Sequence, residues 1–154
     1  METKTVAETQ AVAVRLAPLL RPGDCVTLSG DLGAGKTTWT RGLAVTLGIP
    51  AQAVTSPTFT LLHEYPGGRL SLYHVDAYRL TRGADADEIG LADVLNAGDG
   101  VVVIEWASHI AGALPAERLE VAFDDTGDDT RTITLTGLGE RWTNLQADWN
   151  ACSC

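Results

Sequence analysis

Residues 24–40 read DCVTLSGDLGAGKTTWT, and the fold turns on how this stretch is parsed. Asp24 to Gly30 opens as an apolar run rich in β-formers and leads straight into glycines, which predicts a short strand entering a tight loop. From Lys36 to Gly48 the chain reads as a helix, with Trp39, Leu43 and Leu47 toward the core and Gly48 as its C-terminal stop. Between strand and helix, Gly30-x-x-x-x-Gly35-Lys36-Thr37 meets the phosphate-loop pattern G-x-x-x-x-G-K-[ST] at every fixed position. The residue types have physical reasons. Gly30, Gly33 and Gly35 let the backbone turn tightly and aim its N–H groups inward, forming a nest for anionic oxygens. The first amides of the following helix add partial positive charge. Lys36 would then reach the β- and γ-phosphates, and the Thr37 hydroxyl would ligate magnesium. A glycine-rich turn of purely structural purpose would leave a lysine aimed at its own nest, so it is the weaker reading.

A magnesium site needs an acid from elsewhere in the chain, usually at the end of a buried strand. VVVIEW, Val101 to Trp106, is a continuous apolar run ending in Glu105, the pattern of a buried strand whose tip lies at the carboxyl edge of a parallel sheet. Asp76 in LYHVDAYRL is the second candidate, although an acid at a hairpin strand end is as often plain surface. Trp106 could stack on a base or close the site against water; as a bare aromatic it is more often core. Guanine-reading sites use an Asn-Lys-x-Asp element, which does not occur here, so ATP is the expected nucleotide.

The remaining chain supplies the frame. Thr9 to Leu20 spaces Val12, Leu16, Leu19 and Leu20 as a helix ended by Arg21-Pro22-Gly23. TFTLLHEY and LSLYHVDAY form a hairpin around Pro66-Gly67-Gly68-Arg69, Glu88 to Asn96 is a short helical candidate, and RLEVAFDD with TRTITLTG forms a second hairpin before a helix through Trp149. At 154 residues one domain is expected, spanning 1–154. The N-terminus has no basic n-region and no uninterrupted apolar core, no run reaches membrane-spanning length, and Cys25, Cys152 and Cys154 are too few for a disulfide framework. A reducing cytoplasm is the expected location. A net charge of −9 argues against broad binding to a phosphate backbone, so any role on RNA requires a partner.

These residues together resemble the TsaE (YjeE) family of bacterial ATPases of tRNA threonylcarbamoyladenosine synthesis. The resemblance is carried by Gly30 to Thr38, Arg41-Gly42-Leu43, Leu47-Gly48-Ile49, Val54 to Phe59, His74-x-Asp76-x-Tyr78-Arg79 and Ile104-Glu105-Trp106. It implies an α/β, three-layer fold of the P-loop NTPase type, with a mostly parallel central sheet and antiparallel hairpin additions. It implies ATP held by Gly30, Asp31, Leu32, Gly33, Ala34, Gly35, Lys36, Thr37 and Thr38, with Thr58 or Thr60 meeting the γ-phosphate and Ser56 to Phe59 behaving as a switch. It implies Mg2+ at Thr37 and Glu105, with Lys36, Asp76 and Glu105 as the catalytic set and Trp106 lining the same pocket. Thr9, in the segment before the first strand, matches a part that lies near the base. Trp106 is followed by Ala107-Ser108-His109, where relatives often carry a proline or an acid, a departure that affects loop shape. The C-terminal Cys-Ser-Cys has no counterpart and reads as a frayed end.

The resemblance further implies a nucleotide switch acting on the proteins TsaB and TsaD, with tRNA reached only through that complex and with hydrolysis slow in isolation. Two alternatives use the same loop. A small-molecule kinase would need an acceptor pocket and an arginine-rich lid, for which Arg79 and Arg82 are the nearest residues. A regulatory module would bind ATP without hydrolysing it.

Overall fold

The computed structural model describes residues 1–55 and 61–152. Ser56 to Thr60, which includes Thr58, Thr60 and the whole of the expected switch, and the last two residues of the Cys-Ser-Cys tail lie outside the described residues. Among the described residues, seven strands make one mixed sheet: β1 (Glu2–Thr3), β2 (Cys25–Ser29), β3 (Leu62–Tyr65), β4 (Ser71–Asp76), β5 (Gly100–Glu105), β6 (Arg118–Gly127) and β7 (Thr130–Leu138). Their spatial order is β1-β7-β6-β2-β5-β4-β3. The four central strands β6, β2, β5 and β4 run parallel, and β3, β7 and β1 add to them antiparallel at the two edges. The fold is therefore the expected α/β one, with a parallel centre and hairpin additions.

Period-two alternation assigns the two faces of the centre. Val101 and Val103 of β5, with Leu72 of β4 and Val26 and Leu28 of β2, pack into one core with α1 (Val6–Leu16) and α2 (Lys36–Thr46). Val102 and Ile104, with Tyr73, Val75 and Cys25, pack into the other core, below α3 (Gly83–Glu88), α4 (Leu91–Ala97) and the 3-10 segment Ala107–Ala113. Val101 to Ile104 are all at most 2% exposed, and burying each such side chain contributes about 1.5–3 kcal/mol. A run apolar on both faces can only be a central strand, which is what positions Glu105 at its end.

Helix boundaries differ from the sequence expectation in two places. Helix α1 begins at Val6, not near Thr9, because Thr5 and Glu8 form a reciprocal capping box: the Glu8 N–H donates to Thr5 Oγ1 and the Thr5 N–H to Glu8 Oε2, both at 3.1 Å. It tightens into a 3-10 turn at Ala17–Leu19, where Pro18 cannot supply an α-helical N–H. The short helix expected from Glu88 to Asn96 is α4, which starts later, at Leu91, and is preceded by an unexpected helix, α3, that ends at Glu88; Gly90, whose φ of 79° is left-handed, parts the two. Both hairpins form over the described residues, the first from Leu62 onward; the second turns at Asp128 and Asp129, which hold φ of 52° and 59°. A final helix, α5 (Leu145–Ala151), follows. Among the described residues no helix is long and apolar enough to cross a membrane.

Candidate functional site

The same alternation builds the site. His74 and Asp76 follow Leu72 at two-residue steps, and Glu105 follows Val103, so these three polar residues share the α2 face at the carboxyl ends of β4 and β5. Asp76 and Glu105 are register partners across the parallel pair, and Leu28 is the partner of Glu105 on β2, two residues before Gly30 opens the phosphate loop. The loop lands at α2, whose N-cap Gly35 has φ of 106°. Gly30 and Gly33 also hold positive φ, 144° and 79°, as a backbone nest requires.

A cavity of about 310 Å3 lies in this crevice, lined by Leu32, Gly33, Gly35 to Thr38, Asp76, Tyr78, Glu105 and Trp106. Lys36 enters it buried, 7% exposed, and donates to the carbonyl oxygens of Gly30 and Asp31, the second at 3.0 Å. Burial lowers the Lys36 pKa from its ordinary value, an effect opposed by the negative charges of Glu105, Asp76 and Asp31. Trp106 covers it: the ammonium lies 4.3 Å from the indole centroid, a cation–π arrangement. Trp106 reaches that position from a left-handed backbone, φ 58° and ψ 37°, a conformation that an L residue of this bulk adopts only under local constraint. Tyr78 packs edge-on to the same indole at 5.1 Å, and His109, held by the carbonyls of Ala77 and Tyr78, completes an aromatic rim.

The Thr37 hydroxyl lies 3.4 Å from Glu105 Oε1, directed at it as a donor. Two oxygens bound side by side on octahedral magnesium stand about 2.9 Å apart, so a small closure would let this pair share a cation. Both are hard oxygen donors, and the described residues hold no cluster of three or more His, Cys, Asp or Glu able to cage a metal alone. That donor set fits magnesium, which is typically held by one or two protein oxygens together with substrate phosphates. Asp76 is 6% exposed, with Oδ1 accepting from the Tyr78 N–H at 2.9 Å, which fixes the carboxylate at the cavity wall.

Of the site residues expected from sequence, Lys36, Thr37, Thr38, Asp76, Glu105 and Trp106 thus converge with the glycine loop on one cavity. Asp31 and Ala34 belong to that loop, with Ala34 tucked against the core at 6% exposure and Leu32 exposed at its tip. Thr9 stands beside the loop, but is only 2% exposed; its hydroxyl faces Thr3 Oγ1 at 3.1 Å, and its methyl lies 3.5 Å from where a Cβ at Gly35 would stand. Arg131 of β7 was missed in the sequence reading. It reaches the loop with Nη2 at 3.5 Å from the Gly33 carbonyl, across 98 residues of sequence, and nothing local in TRTITLTG marks it. His74, quoted only as part of a motif, turns out to be fully buried against Glu105.

The sequence pattern of the family described as threonylcarbamoyl adenosine biosynthesis protein TsaE matches residues 3–133. The tRNA threonylcarbamoyladenosine biosynthesis protein TsaE of Bacillus subtilis strain 168 is 47% identical over 138 residues, covering 90% of this chain and 85% of its own. The protein of the same name from Streptomyces coelicolor is 51% identical over 134 residues, covering 83% of this chain and 89% of its own. The crystal structure of Bacillus subtilis YdiB superposes with a TM-score of 0.82 at 42% identity, covering 98% of this chain and 93% of that one. A phosphate loop, a strand-end glutamate and an aromatic lid on one sheet edge, found with this similarity along nearly the whole chain, lead to one assignment: the chain belongs to the TsaE family of tRNA threonylcarbamoyladenosine biosynthesis proteins.

Proposed function

We propose that this chain, folding as one domain over 1–154, is a cytoplasmic ATPase that acts as a nucleotide switch on the TsaB–TsaD pair in threonylcarbamoyladenosine synthesis. The observation that carries the reading is the meeting of Thr37 and Glu105 at 3.4 Å beside Lys36, at the mouth of a phosphate loop. In this reading the amides of Gly33 to Thr38 bind the phosphate oxygens, and the Lys36 ammonium leaves the Gly30 and Asp31 carbonyls for the γ-phosphate. Thr37 and Glu105 would hold Mg2+, which would supply positive charge to offset the negative charge developing on the phosphate oxygens. Asp76, anchored by Tyr78, orients the attacking water or the ligands around it. Trp106 and Tyr78 exclude bulk water from the phosphates and strengthen the electrostatics beneath them. Thr9 and Arg131 both lie beside Gly35 of the loop, and in this reading they border the remainder of the nucleotide.

The division of labour follows from charge. A chain of net charge −9 is poorly suited to hold tRNA, so RNA contact falls to the partners and this chain supplies the nucleotide-dependent step. Steady-state phosphate release from ATP, with the chain alone and with TsaB and TsaD, tests the proposal. Slow release alone and stimulation by the pair are expected. Tight ATP binding without release in either case would indicate a binding module. Rapid release by the isolated chain, unaffected by the pair, would overturn the switch.

A further inference from the structure

His74 is one of the least exposed side chains in the protein, at 0%, yet it is an imidazole in a strand that otherwise buries Leu72, Tyr73 and Val75. Neither of its ring nitrogens has a hydrogen-bond partner among the described residues, and both are shut off from solvent. Leaving buried polar atoms without partners is costly, so such an atom usually marks a demand other than packing. The polar atom that Nε2 faces is Glu105 Oε1, at 3.6 Å, just beyond hydrogen-bond length. The same Oε1 is the atom to which the Thr37 hydroxyl is directed at 3.4 Å. One carboxylate oxygen thus stands between two donors, one on α2 and one on β4, and neither contact is fully closed.

The relation between the two donors is the informative part. A cation at this site would take the Thr37 oxygen as a ligand, and the hydroxyl proton, turned from the ion, would no longer be held on Glu105 alone. His74 cannot be drawn to the cation in the same way, because it sits one strand step deeper than Asp76, below the floor of the cavity, and is absent from the cavity lining. It remains pointed at Oε1.

We propose that His74 is a positioning residue for Glu105: with a proton on Nε2, it closes the 3.6 Å gap and takes over Oε1 when Thr37 turns to the metal, fixing the carboxylate in its metal-facing orientation. The inference rests on the reading of Glu105 as the metal-side acid. Outer partners of this kind fix the orientation of a ligand and raise its affinity, and removing one typically weakens metal binding about 10- to 100-fold.

The test measures binding of a non-hydrolysable ATP analogue, AMP-PNP, as a function of Mg2+ concentration, and of ADP in EDTA, for the full-length chain. His74→Leu fills the space without a donor, His74→Gln places an amide N–H where Nε2 stands, and His74→Asn places one nearer the position of Nδ1. His74→Leu should raise the Mg2+ requirement about 10-fold or more while leaving metal-free ADP binding as in the wild type. His74→Gln should restore the low requirement, and His74→Asn should not. A general packing defect would instead weaken both nucleotides alike and treat the two amides alike, and that pattern would overturn the inference. If His74→Leu fails to fold, the difference between Gln and Asn decides on its own. Glu105→Gln separates the two levels of the argument. A wild-type Mg2+ requirement in that variant would remove Glu105 from the metal site and the inference with it. A raised requirement there, combined with none in His74→Leu, would refute the role of His74 alone.

Discussion

Replacing the loop glycines one at a time by alanine should give two very different losses of stability, although the chemical change is identical. At Gly33 the backbone is left-handed, φ 79°, but a Cβ there would meet nothing within 4 Å. Only the conformational term applies, about 1–2 kcal/mol for an L residue in the left-handed region. At Gly30 the φ of 144° lies in a region that essentially only glycine occupies, which adds about 1–3 kcal/mol. A Cβ at Gly30 would also stand 2.6 Å from the Phe123 carbonyl oxygen and 3.0 Å from Phe123 Cβ. The first of these neighbours is the backbone of β6, paired to both β2 and β7, so it cannot swing aside as a side-chain tip would. Overpacking of that kind costs about another 1–3 kcal/mol. The total for Gly30→Ala is therefore about 2–6 kcal/mol, a large part of the 5–15 kcal/mol typical of a domain. Urea unfolding without nucleotide is the appropriate assay, since ligand would add its own binding energy to the native state. At an m-value of about 2 kcal/mol per molar, Gly33→Ala should lower the midpoint by about 0.5–1 M and Gly30→Ala by about 1–3 M. Equal shifts in the two variants, or a larger one at Gly33, would refute the claim that close approach to β6 dictates Gly30.

Two further predictions concern the frame. Gly42 lies inside α2, where alanine would ordinarily be favoured by about 1 kcal/mol, but a Cβ there would stand 2.9 Å from Gln10 Cβ and 3.0 Å from Gln10 Cα on α1. Gly42→Ala should therefore destabilise the protein by up to about 2 kcal/mol net, read as a lowered thermal midpoint; a raised midpoint would show that the two helices are not in such close contact. Burial pushes the Cys25 thiol up to about 12, far above the ordinary value of 9.0, so at pH 8 it should resist a thiolate-directed reagent in the native state and label fully in denaturant. Half-buried Cys152 should label in the native protein, and rapid native labelling of Cys25 would mean that β2 opens far more readily than its central place in the sheet allows.

Much of the site was legible from local chemistry. The phosphate loop needs glycines, a lysine and a hydroxyl within eight residues, and all of its parts are contiguous. Glu105 could be picked out because four apolar residues before it mark a strand buried on both faces, and such a strand has only its end left for a polar group. Asp76 was ambiguous for the converse reason: a hairpin strand at an edge has a solvated side. Its position was decided by pairing, since β4 is not the edge but lies between β3 and β5, with Asp76 in register beside Glu105. Helix α3, Gly83–Glu88, shows a limit of periodicity, since GADADE carries no apolar spacing that would mark a helix in the sequence.

By itself, then, the sequence determined the elements whose information is local. These are the strand, loop and helix of the phosphate site, the two hairpins, and the family likeness carried by ordered motifs. The tertiary structure alone decided what depends on separation in space. It brought Glu105 to Thr37 across 68 residues, laid Trp106 over Lys36, carried Arg131 to Gly33, and left His74 buried against a carboxylate. The physical reason is that side-chain periodicity says which face a residue occupies, whereas only strand order and register say what occupies the same face next to it.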